Sequence, residues 1–369
     1  MAKTALYLAG GGARGAYQAG VLKAVGQILQ VKTLPFTVMS GVSVGSINAA
    51  VLAENADDFP LGLEKLETLW RKIHCHHVFN TSNYELGKSV VRNLGHIVIK
   101  QRQTGYLLDT TPLQQFLNEN IDFIKISNHI KNNALESMEV ISHCYETQQT
   151  ISFYQQHQNN FEDWLYPRHV SQRAGIRMEH VLASSALPLF FPNVMIDGMH
   201  YGDGSMGLIS PLRGAIRQHV DKILILGTRQ PPTFADSELM PQRDVGFAQI
   251  LGNMLNGLFL DNLDRDIETV NHMNDIANLL SIWKKRRSPW RPIETLHLRP
   301  SANIAKMAQA NYLTMPKLLR FLLNSLGAQS HSGDLLSFLL FESDFTSELI
   351  ELGYNDTMAN AAGVTAFFK

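Results

Sequence analysis

The chain has 369 residues, a formal net charge of −1 and 45% hydrophobic residues. That length suits one large domain with an appendage, or two domains, and the apolar share is ample for a sizeable core. A near-neutral charge argues against a dedicated nucleic-acid binder, and no apolar run reaches the roughly 18 to 20 residues of a membrane-spanning helix. Cys75 and Cys144 are too few for a disulfide framework, so a reducing, cytoplasmic setting is the default, with any membrane contact peripheral.

In chain order, the apolar run after Lys3 is broken by Gly10 to Arg14 before a signal-peptide core can form, and it reads as a strand over about Ala5–Ala9. A glycine loop follows, then a helix from about Gly15 to Gln30 with apolar residues spaced to face a sheet. A second strand, Phe36–Ser40, runs into Gly41-Val-Ser-Val-Gly45. Glycines two before and two after Ser43 permit a nucleophile elbow, a sharp strand-to-helix turn expected to expose the serine hydroxyl to substrate. Small residues from Val44 to Leu52 begin a helix whose N-terminal dipole favours negative charge beside Ser43.

Gly10, Gly12 and Gly15 also satisfy the G-x-G-x-x-G pattern of a dinucleotide site. Such a site needs an acidic residue near the end of the second strand to hold the ribose. Phe36–Gly41 contains none, and the first acid afterwards is Glu54. Consecutive Gly10, Gly11 and Gly12 instead allow bare backbone N–H groups to point beside the elbow, as an oxyanion hole requires, with Arg14 anchoring the loop.

Farther along, Leu61–Trp70 is amphipathic, and Arg71–Leu108 lacks firm periodicity and reads as a loop-rich excursion near the site. Asp109-Thr-Thr-Pro112 starts a helix, Met138–Tyr145 and Thr150–Tyr154 form neighbouring strands, and Lys222–Gly227 reads as a buried parallel strand. From about Ala302 onward the leucine spacing is helical.

The glycine loop Gly10-Gly-Gly-Ala-Arg-Gly15, the elbow Gly41-Val-Ser-Val-Gly45 and the later Asp203-Gly204, in this order, resemble the patatin-like phospholipase family. Ala183-Ser-Ser-Ala-Leu-Pro-Leu-Phe-Phe-Pro192 is similar to the family's small-residue and proline segment. The resemblance implies a three-layer α/β/α core with a mainly parallel sheet over residues 4–230, and the rest of the chain divides into a connecting segment at 231–301, with helices and a basic, tryptophan-flanked loop, and the helical region at 302–369. It also implies lipid acyl-ester hydrolysis by a Ser43–Asp203 dyad without metal or organic cofactor, with Gly204 supporting the aspartate. Ser205 stands where the family usually has glycine or alanine.

Two other function classes compete with this one. A Ser–His–Asp esterase would use His219 or His297 as base, but that fold has several strands before its elbow and here one precedes Phe36. A non-catalytic lipid-binding protein would keep the fold and lose the chemistry. His74-Cys75-His76-His77 lacks a second ligand pair at zinc spacing, so ordinary polar placement is preferred to a metal. Trp283-Lys-Lys-Arg-Arg-Ser-Pro-Trp290 reads first as a solvated loop and second as a patch for anionic lipid headgroups. Leu335–Phe341 reads as a buried helix, with a cover over a lipid channel or a dimer interface as the alternative.

Overall fold

A computed structural model of the protein describes residues 2–81, 106–157, 163–231, 247–259, 261–280, 291–325 and 333–369. The basic tryptophan-flanked segment and most of the excursion before Leu108 lie outside the described residues.

The described strands are β1 (Thr4–Leu8), β2 (Val38–Val42), β3 (Ser137–Cys144), β4 (Gln149–Gln156), β5 (Leu165–Tyr166), β6 (His169–Arg173), β7 (Val194–Ile196), β8 (Met199–Asp203), β9 (Lys222–Leu226) and β10 (Glu294–Leu298). They form one sheet in the order β10-β9-β1-β2-β3-β4-β6-β5, with β8 on β3 and β7 on β8. Pairing is parallel from β10 through β3, and antiparallel where β3 meets β4 and β8. The edge strand β10 carries no strong sequence signal, because Glu294-Thr-Leu-His-Leu298 is short and half polar.

Helices α1 (Ala16–Leu29), α2 (Val44–Glu54), α3 (Phe59–Lys72), α4 (Cys75–Val78), α5 (Thr111–Asn120), α6 (Phe123–Lys131) and α7 (Met178–Ser184) precede β7. Then come α8 (Arg213–Arg217), α9 (Phe247–Phe259), α10 (Asp261–Leu279), α11 (Ile304–Ala310), α12 (Lys317–Ser325), α13 (Gly333–Leu339), α14 (Ser343–Ala359) and α15 (Ala361–Phe368). Local chemistry sets several starts. The Asp58 carboxylate accepts the Leu61 N–H at 3.1 Å with Pro60 in the first turn of α3, and Asp109 accepts the Thr111 N–H at 3.0 Å ahead of α5.

The sheet is covered on both faces because successive strand residues point to opposite sides. Leu6, Leu8, Leu224 and Leu226 join one core cluster with α1, α2 and the C-terminal helices, whereas Ala5, Tyr7, Ile223 and Ile225 join another with Leu212, Ala215, Leu263 and Val270. The result is three α/β/α layers, and Leu335, Phe345, Ile350 and Phe367 of the C-terminal helices belong to the same buried cluster as Leu6 and Tyr17.

The tightest joint between the two ends of the chain is the crossing of α1 and α14. A Cβ on Gly20 would press into the Ile350 carbonyl, and one on Gly353 into the Tyr17 carbonyl. Bare glycines on both sides thus let the helix backbones touch. On an exposed helix Gly→Ala is worth up to about 1 kcal/mol of added stability. Gly353→Ala is expected to have the opposite sign and to lower the midpoint in urea; a midpoint at or above that of the parent would show that the helices do not meet this closely.

Candidate active site

Ser43 follows directly on β2 and caps α2 with φ 54° and ψ −130°, a left-handed conformation that a residue with a Cβ adopts only under constraint. The constraint is visible in its bonds. The Ser43 N–H donates to Ser184 Oγ at 2.9 Å, Ser184 Oγ donates onward to the Ile141 carbonyl, and the Ser43 carbonyl accepts from both the N–H (2.9 Å) and Oγ (2.6 Å) of Ser46. Gly45 lies against the Leu8 carbonyl, which brings α2 down on β1. The elbow geometry is therefore present, but the serine is only 5% exposed. It opens into an internal cavity and not onto the surface expected from the glycine frame alone, because helices that are distant in sequence close over it.

Asp203 reaches Ser43 through sheet topology. One edge of β3 pairs with β2 as far as Ile141 and then, from Ser142 onward, with β8 running the opposite way. The two strands meet end to end, so the last residue of β8, Asp203, faces the first residue beyond β2, Ser43. The segment after α7 fastens both: Ser184 holds the Ser43 N–H as above, the Asp203 N–H donates to the Ala186 carbonyl at 3.1 Å, and the Gly204 N–H donates to the Ser184 carbonyl at 3.3 Å.

Asp203 is fully buried, and burial pushes its pKa up to about 7 against the opposing influence of the Ser43 hydroxyl and of Ser205. Its Oδ1 accepts the Ser205 N–H at 2.9 Å. Its Oδ2 is buried with no partner at full hydrogen-bond geometry, so the nearby Ser43 hydroxyl stabilises the carboxylate from a longer or less aligned position. Ser205 thus serves the aspartate through its main-chain N–H, and its Oγ, buried with no partner at full hydrogen-bond geometry, also favours the carboxylate form.

The glycine loop runs beside this pair. Gly11 and Gly12 have φ 152° and 57°, and a Cβ on Gly12 would press into the Phe338 carbonyl. The Gly10 carbonyl accepts Thr228 Oγ1 at 2.6 Å and the Gly11 carbonyl accepts the Arg14 N–H at 3.2 Å. Among the described residues neither the Gly11 nor the Gly12 N–H is given to a backbone carbonyl. Arg14 turns to α13: Nε donates to Ser337 Oγ at 2.8 Å, Nη2 lies 3.2 Å from Asp334 Oδ1, and the guanidinium sits 4.3 Å from the Phe338 ring centroid. Burial lowers its pKa to about 10, which leaves it charged at neutral pH. Gly15 packs on Val44, and its carbonyl accepts Asn48 Nδ2 at 3.1 Å.

Gly12 and Ser43 share a cavity of about 50 Å³ walled mainly by Ile47, Val51, Leu66, Trp70, Phe191 and Phe338. At 10–15 Å³ per water this holds a few waters and no alkyl chain. A second, more polar recess of about 360 Å³ adjoins it through Leu113, Ser185 and Phe191 and is rimmed by Asp109, Glu179 and Asn193.

A Patatin-like phospholipase family model matches residues 6–216, more than half of the chain, and spans every site residue named above except Thr228 and those of α13. The chain belongs to the patatin-like phospholipase family. Lysophospholipase nte1 of Aspergillus terreus (strain NIH 2624 / FGSC A1156) is 29% identical over 119 residues, amounting to 30% of this chain and 8% of that protein. The chain therefore spans a small part of that relative's length. The crystal structure of VipD from Legionella pneumophila matches 98% of this chain and 67% of that one, at 12% identity and a TM-score of 0.37.

In this patatin-like chain the competing histidines stand elsewhere. His219 lies beyond α8 on the other face of the sheet, and His297 is on β10, three strands away from β2. The His74–His77 cluster is spent on packing and capping: His74 Nδ1 meets Glu342 Oε2 at 2.7 Å, the His74 N–H donates to His77 Nδ1, and Cys75 Sγ points to the Leu339 carbonyl. Leu335–Phe341 is buried as α13 and the residues after it, and its Phe338 and Phe341 line the Ser43 cavity. Ser184, Asn48 and Thr228 carry no local sequence signal of their role: Ser184 sits in the small-residue and proline segment, but its partners come from the turn after β2 and from β3.

Because burial raises the folded-state pKa of Asp203 above its unfolded value, the folded chain keeps a proton that the unfolded chain loses. This favours folding below pH 4 and costs stability as pH rises through about 7, by up to roughly 4 kcal/mol for a carboxyl group moved from 3.8 to about 7. Asp203→Asn is expected to remove that slope, so its urea stability relative to the parent should grow between pH 4 and pH 8. A difference that stays flat with pH would mean that the carboxylate is not held in this state.

Proposed function

We propose that the chain is a serine acyl hydrolase of phospholipase A or lysophospholipase type, in which Ser43 is the nucleophile and Asp203 its base. The observation carrying this reading is the buried carboxylate with an unpartnered oxygen beside a strained serine, at the point where two strand ends meet. Asp203 takes the proton of the Ser43 hydroxyl as Oγ attacks the ester carbonyl. The Gly11 and Gly12 amides, with the N-terminus of α2, stabilise the tetrahedral oxyanion. The proton then passes to the leaving alcohol, and a water deprotonated by Asp203 releases the acyl group from Ser43. An ordinary carboxylate, with pKa near 4, is a weak base for serine; burial brings Asp203 to about 7, close to the optimum for general-base work at neutral pH.

The apolar inner cavity suits the acyl chain and the polar recess beside it suits the headgroup. Admission of an alkyl chain requires the aromatic walls, Phe191, Phe338 and Phe341, to shift. The lysophospholipase title of the fungal relative fits a substrate with an acyl ester and a polar head, and so do the family's phospholipases.

Ser43→Ala and Asp203→Asn are each expected to cut hydrolysis of a soluble acyl ester by at least about 10³-fold with unchanged circular dichroism, whereas His219→Ala is expected to leave it near parental. Loss of activity on His219→Ala with activity kept on Asp203→Asn would replace the dyad by a histidine base. In the parent, kcat/KM should rise with pH and level off above a limb near the pKa of about 7 that burial gives Asp203. A profile already flat from pH 5 would exclude Asp203 as the titrating base.

A further inference from the structure

On the face of the sheet away from Ser43, α8, α10 and the chain entering β10 enclose a second cleft of about 460 Å³. Small-molecule sites fall at roughly 300–1,000 Å³, so this one is large enough for a ligand, unlike the closed Ser43 cavity. Its inner surface is aliphatic, from Ile216, Val220, Val270, Met273 and Ile293, and its polar lining includes Arg213, Arg217 and Arg291.

The arginines are arranged in an unusual way for a solvated helix face. Arg213 and Arg217 stand one turn apart on α8, and their guanidinium carbons lie 4.2 and 5.0 Å from the centroid of one ring, Tyr166. Like charges at this spacing repel. Among the described residues neither has a carboxylate within ion-pair distance, whereas Arg291 lies 3.8 Å from Asp221. The carboxylate that lines the cleft, Asp266, accepts the Leu212 N–H through Oδ2 at 2.8 Å and is turned to the main chain. The mouth is also fixed. His219, between α8 and β9, has φ 58°, and its carbonyl accepts Arg291 Nη2 at 2.8 Å, so a strained turn is pinned at the mouth.

Arg213 donates to Ser210 Oγ at 3.2 Å and feels Asp266 only at a distance, so two guanidinium groups without an ion-paired carboxylate beside an apolar concavity match a ligand with an anionic head and an alkyl body. The head would gain charge-assisted bonds from the planar forks, and the alkyl part would cover aliphatic surface. We propose that this cleft binds a single-chain anionic amphiphile, its carboxylate or phosphate between Arg213 and Arg217 and its chain along Val220, Val270 and Ile293, at a site separate from the Ser43 cavity.

The test is equilibrium dialysis of the full chain against laurate, dodecyl phosphate, dodecanol and inorganic phosphate below micellar concentration. Laurate or dodecyl phosphate should bind at least about 10-fold more tightly than dodecanol and inorganic phosphate, and the stronger of the two identifies the head. Arg213→Gln/Arg217→Gln should weaken that binding at least 10-fold while hydrolysis of a short soluble ester stays parental, and the doubly lysine-substituted chain should recover part of it. Arg217 is exposed, so Arg217→Gln alone keeps the fold and should still weaken binding measurably if the double variant fails to fold. Four results would overturn the proposal: no binding, equal binding of dodecanol, equal binding of inorganic phosphate, or an affinity unchanged in Arg217→Gln.

Discussion

The candidate site depends on the shared edge of β3. That strand offers one row of backbone groups to β2 as far as Ile141 and the continuation of the same row to β8 from Ser142. Since β2 and β8 run toward each other, the residue leaving one and the residue ending the other must meet. Main-chain hydrogen bonds fix the separation of Ser43 and Asp203, with no need for a long side chain to span a gap. The segment after α7 then ties both residues to the sheet through Ser184 and Ala186.

This arrangement has a thermodynamic consequence for Asp203. A carboxylate at the middle of a sheet edge, beneath two layers of helix, loses its water, and one amide from Ser205 with a poorly aligned hydroxyl from Ser43 does not replace it. Stability is given up there to hold a carboxyl group that titrates near neutral pH, in line with the general conflict between a stable fold and a poised site. Burial acts in the same direction on two neighbouring groups of the sheet. Tyr7, one strand over from Ser40, is pushed far up by burial and then by Glu139, Asp266 and Asp203 together, so it stays neutral. Glu139 is itself raised by burial while accepting Ser40 Oγ at 2.5 Å.

The helices after β10 complete the site from outside the matched family region. Arg14 in the glycine loop grips Ser337 and Asp334 of α13, Gly12 lies on the Phe338 backbone, and Phe338 and Phe341 wall the cavity. The α1–α14 crossing at Gly20 and Gly353 holds this unit to the first βα unit of the chain. The glycine loop is thereby braced from behind by the last tenth of the sequence.

Much of this was legible from residue order alone. Alternation and β-branched or leucine-rich runs located β1, β2, β3, β4 and β9 to within a residue or two, the glycine loop and elbow were readable because each needs a special backbone that few residue types permit, and Asp203 was readable from its place before Gly204 in the motif order. The same local signals were silent where partners are remote. β10 is a strand because β9 has a free edge, Ser184 matters because β2 and β3 pass beside it, and Arg213 and Arg217 ring a cleft because α10 lies opposite. By itself the sequence determined which turns were sharp and which strands were buried, since those follow from φ, ψ and side-chain type within a few residues. The tertiary structure alone decided that Ser43 is enclosed and not exposed, that Asp203 is stripped of water, and that helices from the far end of the chain close the cavity, because burial and pKa depend on atoms brought together by packing from hundreds of residues away.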